Sequence, residues 1–154
     1  MTIIAERFSR IPLIVNYDKG IKRAIAEGEY RLINREINVE DFPIRATETS
    51  GNGKIEVVAS LFNFKNNINS RPAIKEMKKV GYRPAIPLEL LALGAIYPEL
   101  QKEITIIGLG EPICINKVYP RVLSLDVLTK FRRLDLLYFN YVWGPQDYLL
   151  GILE

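Results

Sequence analysis

Few side chains in this 154-residue chain have both the type and the setting for chemistry. Glu89 stands inside the apolar run Pro87-Leu88-Glu89-Leu90-Leu91-Ala92-Leu93. A carboxylate carried into a core by such a helix needs a partner there. Arg83, six residues earlier, is the expected one, and the pair is read as structural. A proton-transfer role for Glu89 is the alternative, and it would require a concave pocket that raises a carboxyl pKa. Cys114 is the lone cysteine, set between Ile113 and Ile115. Burial as a small apolar residue is the expectation, against a role as nucleophile. Gly108-Leu109-Gly110 follows a strand-like run, as phosphate loops do. The third glycine, the following helix and the P-loop lysine are missing, and Glu111 brings the wrong charge, so a turn or bulge is expected. Glu36, Glu40 and Asp41 have the oxygen ligands of a hard-metal site, but acidic turns are ordinarily solvated. No metal or cofactor is assigned.

The charge balance is mild, with 21 basic and 18 acidic residues and a net charge of +3. There is no histidine, which removes His-dependent triads, His-bearing zinc sites and imidazole acid/base chemistry together. Lys78-Lys79 and Lys130, Arg132 and Arg133 form basic clusters. With Tyr138, Phe139, Tyr141 and Trp143 they resemble a single-stranded nucleic-acid platform, against the plainer reading of a solvated basic face beside core aromatics. The strongest surface candidate is the segment Tyr138 to Tyr148. Its aromatics cannot all face inward at a two-residue period, and Gly144-Pro145 marks a loop. Tyr138, Asn140, Tyr141, Trp143, Gln146, Asp147 and Tyr148 are the expected ligand-binding side chains, because tyrosine, tryptophan and asparagine build rigid contact area with adaptable hydrogen bonds. On that reading Tyr138, Tyr141, Trp143 and Tyr148 share one solvent-facing patch. The alternative is that they complete a core or a dimer interface.

The elements that must position these groups centre on Ser70 to Gln101. Ser70 is a cap-type residue, Pro72 suits a first helical turn, and Ala73, Ile74, Met77 and Val80 recur at helical spacing. Gly81 is placed to stop that helix, and Tyr82-Arg83-Pro84-Ala85 reads as a sharp connector. Pro87 opens a second helix that is apolar nearly all round and so must be buried. Upstream, Ile11 to Tyr17 reads as an edge or first strand, and Asp18 reads as the cap of a short helix closed by Gly28. Tyr30 to Val39 reads as a short strand and turn, Thr47 to Gly53 as a polar loop, and Lys54 to Phe64 as a strand. Downstream, strands are expected over Glu103 to Gly108, Ile113 to Ile115, Tyr119 to Leu128, Arg133 to Tyr141 and Tyr148 to Leu153, with a hairpin tip at Asn116-Lys117. The order predicts a single α+β domain over residues 1–154, two central helices packed on mostly antiparallel strands.

Gly81-Tyr82-Arg83-Pro84-Ala85, three further residues and then Glu89-Leu90-Leu91-Ala92-Leu93 resemble a family of short uncharacterised bacterial proteins from candidate-phylum genomes. The likeness extends to Gly28–Ile37, to Ile104–Gly110 and to the segment after Trp143. More distantly, the helical elbow followed by antiparallel strands and an apolar last strand is similar to C-type-lectin-like folds of the formylglycine-generating type. That likeness implies a fold and no activity. Ile86 stands where those proteins have a threonine cap, and Pro87 and Leu88 replace polar helix-start residues. Lone Cys114 cannot reproduce paired-cysteine chemistry, and the lectin calcium motif is missing. In some C-type-lectin-like proteins the late segment presents ligand-binding side chains, which points again to Tyr138–Tyr148.

The expectation is therefore a non-catalytic binding or protein-interaction module, C-type-lectin-like, whose partner is a protein or small ligand. A single-stranded nucleic-acid binder and a carboxylate-dependent enzyme are the alternatives, and a homo-oligomer would be favoured by an exposed apolar edge strand. Apolar runs fall short of the ~20 residues that span a membrane. With one cysteine and no convincing signal peptide in MTIIAERFSR, a cytoplasmic, reducing setting is expected.

Overall fold

The computed structural model describes residues 2–4, 8–42, 53–115 and 119–154. The expected loop at Thr47 to Gly53, apart from Gly53 itself, and the hairpin tip at Asn116-Lys117 lie outside the described residues. The fold is α+β, with three α-helices and one large mixed sheet among those residues.

The sheet is built outward from its last strand. Strand β12 (Asp147–Leu153) pairs antiparallel along one edge with β4 (Lys54–Phe64), Leu149 facing Phe62 and Ile152 facing Ala59. Its other edge is shared between β7 (Thr105–Ile107), parallel, and β6 (Tyr82–Pro84), antiparallel. Beyond β4, the strands β1 (Thr2–Ile4) and β2 (Ile11–Asn16) occupy successive stretches of one edge. Beyond β7 come β9 (Tyr119–Leu128) and β10 (Phe131–Tyr138), a long antiparallel hairpin, and then the two-residue β3 (Leu32–Ile33), parallel to β10. Strand β8 (Ile113–Ile115) pairs with the start of β9. A separate two-stranded ribbon joins β5 (Ile68–Asn69) to β11 (Val142–Trp143).

Strict alternation along these strands divides the interior in two. Leu61, Ile106, Leu123, Leu150 and Ile152 point to one layer, while Phe62, Ile107, Val122 and Leu149 point to the other. Helix α1 (Ile21–Gly28) packs along α3 (Pro87–Ile96) on the first face. Helix α2 (Ser70–Lys79) covers the second face through Ala73 and Met77.

The two helices expected to meet at an elbow are thus separated by the sheet itself. Gly81, at φ 89°, ends α2 as its lack of a Cβ allows. The connector Tyr82-Arg83-Pro84 then becomes β6, a strand rather than a turn, and carries the chain from one face to the other past the edge of β12. Chemistry dictates the difference: α2 has a narrow apolar stripe suited to one side, whereas α3 is apolar on every side and takes the deeper layer. Ser70 is the first helical residue rather than the cap. Its buried hydroxyl donates to Phe139 O at 2.6 Å and accepts from Trp143 Nε1 at 2.8 Å, which staples the start of α2 to the end of β10.

Gly108 and Gly110 are resolved by packing. Gly110 N–H donates to Ala85 O at 2.8 Å, and a Cβ on Gly110 would sit 2.7 Å from that oxygen and 2.8 Å from Pro84 O. The expected turn is therefore a glycine crossing, where one stretch of backbone lies directly on another. Since the obstructing atoms are backbone and cannot swing aside, Gly110→Ala should destabilise the protein by about 2–3 kcal/mol. A urea melt showing Gly110→Ala as stable as the parent would overturn this account of the glycine pair.

Candidate binding surface and buried carboxylate

Glu89 has no solvent exposure, and all its hydrogen bonds are made inside the protein. Arg83 approaches as a fork, Nη1 to Oε1 at 2.9 Å and Nη2 to Oε2 at 2.6 Å. Ile86 N–H donates to Oε1 at 2.8 Å, so the carboxylate caps its own helix where Ile86 has no side-chain oxygen to offer. Tyr17, at the end of β2 and 72 residues away in sequence, donates its hydroxyl to Oε2 at 2.6 Å. The expected Arg83–Glu89 pair is present, and Tyr17 is the member that sequence reasoning missed. With four donors on two oxygens, Glu89 keeps no lone pair for moving a proton. Burial, with the Glu89 carboxylate in contact, pushes the Tyr17 hydroxyl well above the ordinary tyrosine range. Contact with Glu89 holds the Arg83 guanidinium further above its already high value.

Two measurements follow from this cluster. Arg83→Ala leaves a charged carboxylate in a dry site and should cost about 3–5 kcal/mol in a chemical melt; a loss below about 1 kcal/mol would mean that water reaches Glu89. The second concerns pH. Tyr17 ionises later folded than unfolded, so its contribution is complete below pH ~10 and falls away as pH rises above that value. Tyr30, raised to about 12 mainly by burial, adds to the same alkaline loss. Tyr17→Phe should be less stable at neutral pH by about 1.5–3 kcal/mol and should flatten the decline above pH 10; an unchanged alkaline slope would exclude Tyr17 as its source.

The C-terminal aromatics are divided by the same alternation that builds the sheet. Tyr138 and Tyr141 are exposed, by 38% and 43%, but Trp143 is only 3% exposed and lies in the second core layer, its indole N–H on Ser70. Tyr148 follows the parity of Leu150 into the first layer, half-buried and edge-on to Phe8 with centroids 5.7 Å apart. The expected patch of four is therefore not formed. Asp147 spends Oδ2 on Gly144 N–H at 2.8 Å, and Asn63 donates to Pro145 O and Asp147 O, which fixes the Gly144–Asp147 turn. Asn140 and Gln146 are exposed.

A different set of rings takes the surface. Tyr119, 58% exposed at the start of β9, meets Tyr138 edge-on at 6.3 Å. Tyr138 meets Tyr141 at 5.4 Å, and Tyr141 meets Trp143 at 6.0 Å. The result is a ladder of three exposed tyrosines anchored on a buried tryptophan, with about 0.5–1.5 kcal/mol attributable to each such ring pair. Arg121, itself buried, lies 4.4 Å from the Tyr138 centroid and hydrogen bonds to Leu136 O and Glu36. Tyr119 lay outside the expected segment because its partner strand, and not its sequence neighbourhood, brings it there.

The basic cluster does not join this ladder. Lys130 sits at the turn of the β9–β10 hairpin, whereas Tyr119 and Tyr138 sit at the opposite end, roughly 23 Å away at the rise of a β-strand. Arg132 is committed to the carbonyls of Gly28 and Gly94 and to Gln101, stacked on Tyr30, and Arg133 forks onto Asp126. Lys79 pairs with Glu76. Glu36 goes to Arg121, and no group of three potential metal ligands occurs among the described residues, so Glu36, Glu40 and Asp41 do not assemble there. Cys114 corrects the expectation of burial: it is exposed, because Ile113 takes the inward position of β8 and alternation turns its neighbour out. No described helix is long and apolar enough to cross a membrane. No protein-family model, curated protein or solved structure matches the chain.

Proposed function

We propose that this chain is a non-catalytic binding or protein-interaction module of C-type-lectin-like character, seating a protein or small ligand on Tyr119, Tyr138 and Tyr141 with Asn140 beside them. The observation that carries this reading is the ladder: three exposed rings in edge-to-face contact, held from beneath by Trp143 and Arg121. Tyrosines already fixed by their neighbours lose little rotamer freedom when a ligand docks, so their contact area converts efficiently into affinity. The lectin-like character rests on the antiparallel β9–β10 hairpin and the apolar last strand, since α2 and α3 lie on opposite faces and do not form the expected elbow. The nucleic-acid alternative is weakened by the distance between basic cluster and rings. The carboxylate-enzyme alternative is weakened by the saturation of Glu89.

The test is a pair of immobilised glycan and peptide arrays probed with the parent protein and with the double variant Tyr138→Ala/Tyr141→Ala. Signals seen with the parent should fall by about tenfold or more in the double variant. Its melting temperature should fall by several degrees, because three ring contacts and the Arg121 stacking are lost, while its far-UV circular dichroism stays that of the parent. Signals that survive the double substitution, or a parent that binds neither array, would remove the reading.

A further inference from the structure

Between β2, α1 and α3 lies an open cavity of about 300 Å³, at the lower end of the range for small-molecule sites. Its floor is one face of α3. Ala92, Ala95 and Ile96 line it with Leu88 and Leu91, all on one face of the helix at i, i+3, i+4, i+7 and i+8, and Leu88 and Leu91 join Leu90 and Leu93 in the packed core beneath. Ala24 of α1 and Ile14 of β2 form the walls. The space exists because alanines stand at 24, 92 and 95, where the rest of α3 is largely leucine. Ile14 and Ile96 are left about half exposed at its edges, an arrangement that burial of an apolar occupant would relieve.

The mouth has the opposite character. Lys19 and Lys54 line it with Asn16 and Glu27. Glu27 is paired to Lys19, with a 2.6 Å contact from Nζ to Oε1, and Lys54 and Arg23 lie close enough to act on the same carboxylate. Two lysines against one carboxylate leave the lining of the mouth with a net positive charge. An apolar floor under a positive rim matches a molecule with an aliphatic tail and an anionic head.

We propose that this cavity is a binding site for a free medium-chain aliphatic carboxylate, its tail along the α3 face and its head at Lys54 and Lys19. This site is separate from the tyrosine ladder and does not depend on it.

The test is a calorimetric titration of the full chain with sodium decanoate, kept below its micellar concentration, with 1-decanol as the uncharged comparison. Saturable one-to-one binding of decanoate is expected, about fivefold or more tighter than decanol. Ala95→Leu, which fills the cavity, should weaken decanoate binding by about tenfold or more. Ala92→Leu is a second filling variant should the first fail to fold. Lys54→Glu should cost about fivefold or more for decanoate and leave decanol unchanged. The ladder variant Tyr138→Ala/Tyr141→Ala should bind decanoate like the parent. The proposal is overturned by the absence of saturable binding, by equal affinity for decanol, by a folded filling variant that binds as before, or by decanoate affinity that follows the tyrosines.

Discussion

A carboxylate without access to water has to find every hydrogen bond within the protein, and Glu89 imposes that condition on three separate parts of the chain. Arg83 must lie in β6, Ile86 must start α3 with its N–H turned back, and Tyr17 must leave β2 pointing across the face. The strand that crosses between faces, the deepest helix and the edge strand are thus tied to one group. A purely apolar residue at position 89 could fill the same volume but could not specify those three directions, and buried charge serves register better than it serves stability.

How much of this could be read beforehand depends on the range of the interaction. The Arg83–Glu89 pair was legible because both members flank one helix start and because the apolar residues around Glu89 leave it no solvent. Tyr17 was not, since nothing local distinguishes a tyrosine at the end of β2 that faces a carboxylate from one that faces water. The same limit governs the aromatic segment. That not all its rings could point inward was correctly inferred from the two-residue period. Which ones point outward was fixed by the ribbon with β5 and by the bond from Trp143 to Ser70, and neither is visible in Tyr138–Tyr148 alone. Tyr119 entered the ladder through the register of the β9–β10 hairpin. Cys114 differs from its reading because apolar neighbours in sequence say nothing of which face a strand residue takes, and with Ile113 inside, alternation turns Cys114 out.

Tyr119 and Tyr138 share the strand parity of Leu123 and Leu136, so the ladder starts on the first face, at the end of the β9–β10 hairpin away from its turn. On the α1–α3 side the helix is apolar all round, and two neighbours cannot cover a cylinder completely. Small residues at 24, 92 and 95 turn the uncovered portion into a cavity rather than an overpacked seam. The glycines at 28 and 94 act similarly for Tyr30, whose ring lies where their Cβ atoms would be and is closed over by Arg132.

The position of β12 has a consequence for how the chain reaches this structure. The last strand in sequence is interior to the sheet, and β4, β6 and β7 all hydrogen bond to it. Until residues 147–153 leave the ribosome, β4 and its edge partners cannot be joined to β7 and the β9–β10 hairpin. What precedes that moment is two half-sheets, each with an open edge and an unclosed apolar layer. The sheet closes only once β12 is in place, through contacts of long sequence separation that are slow to form.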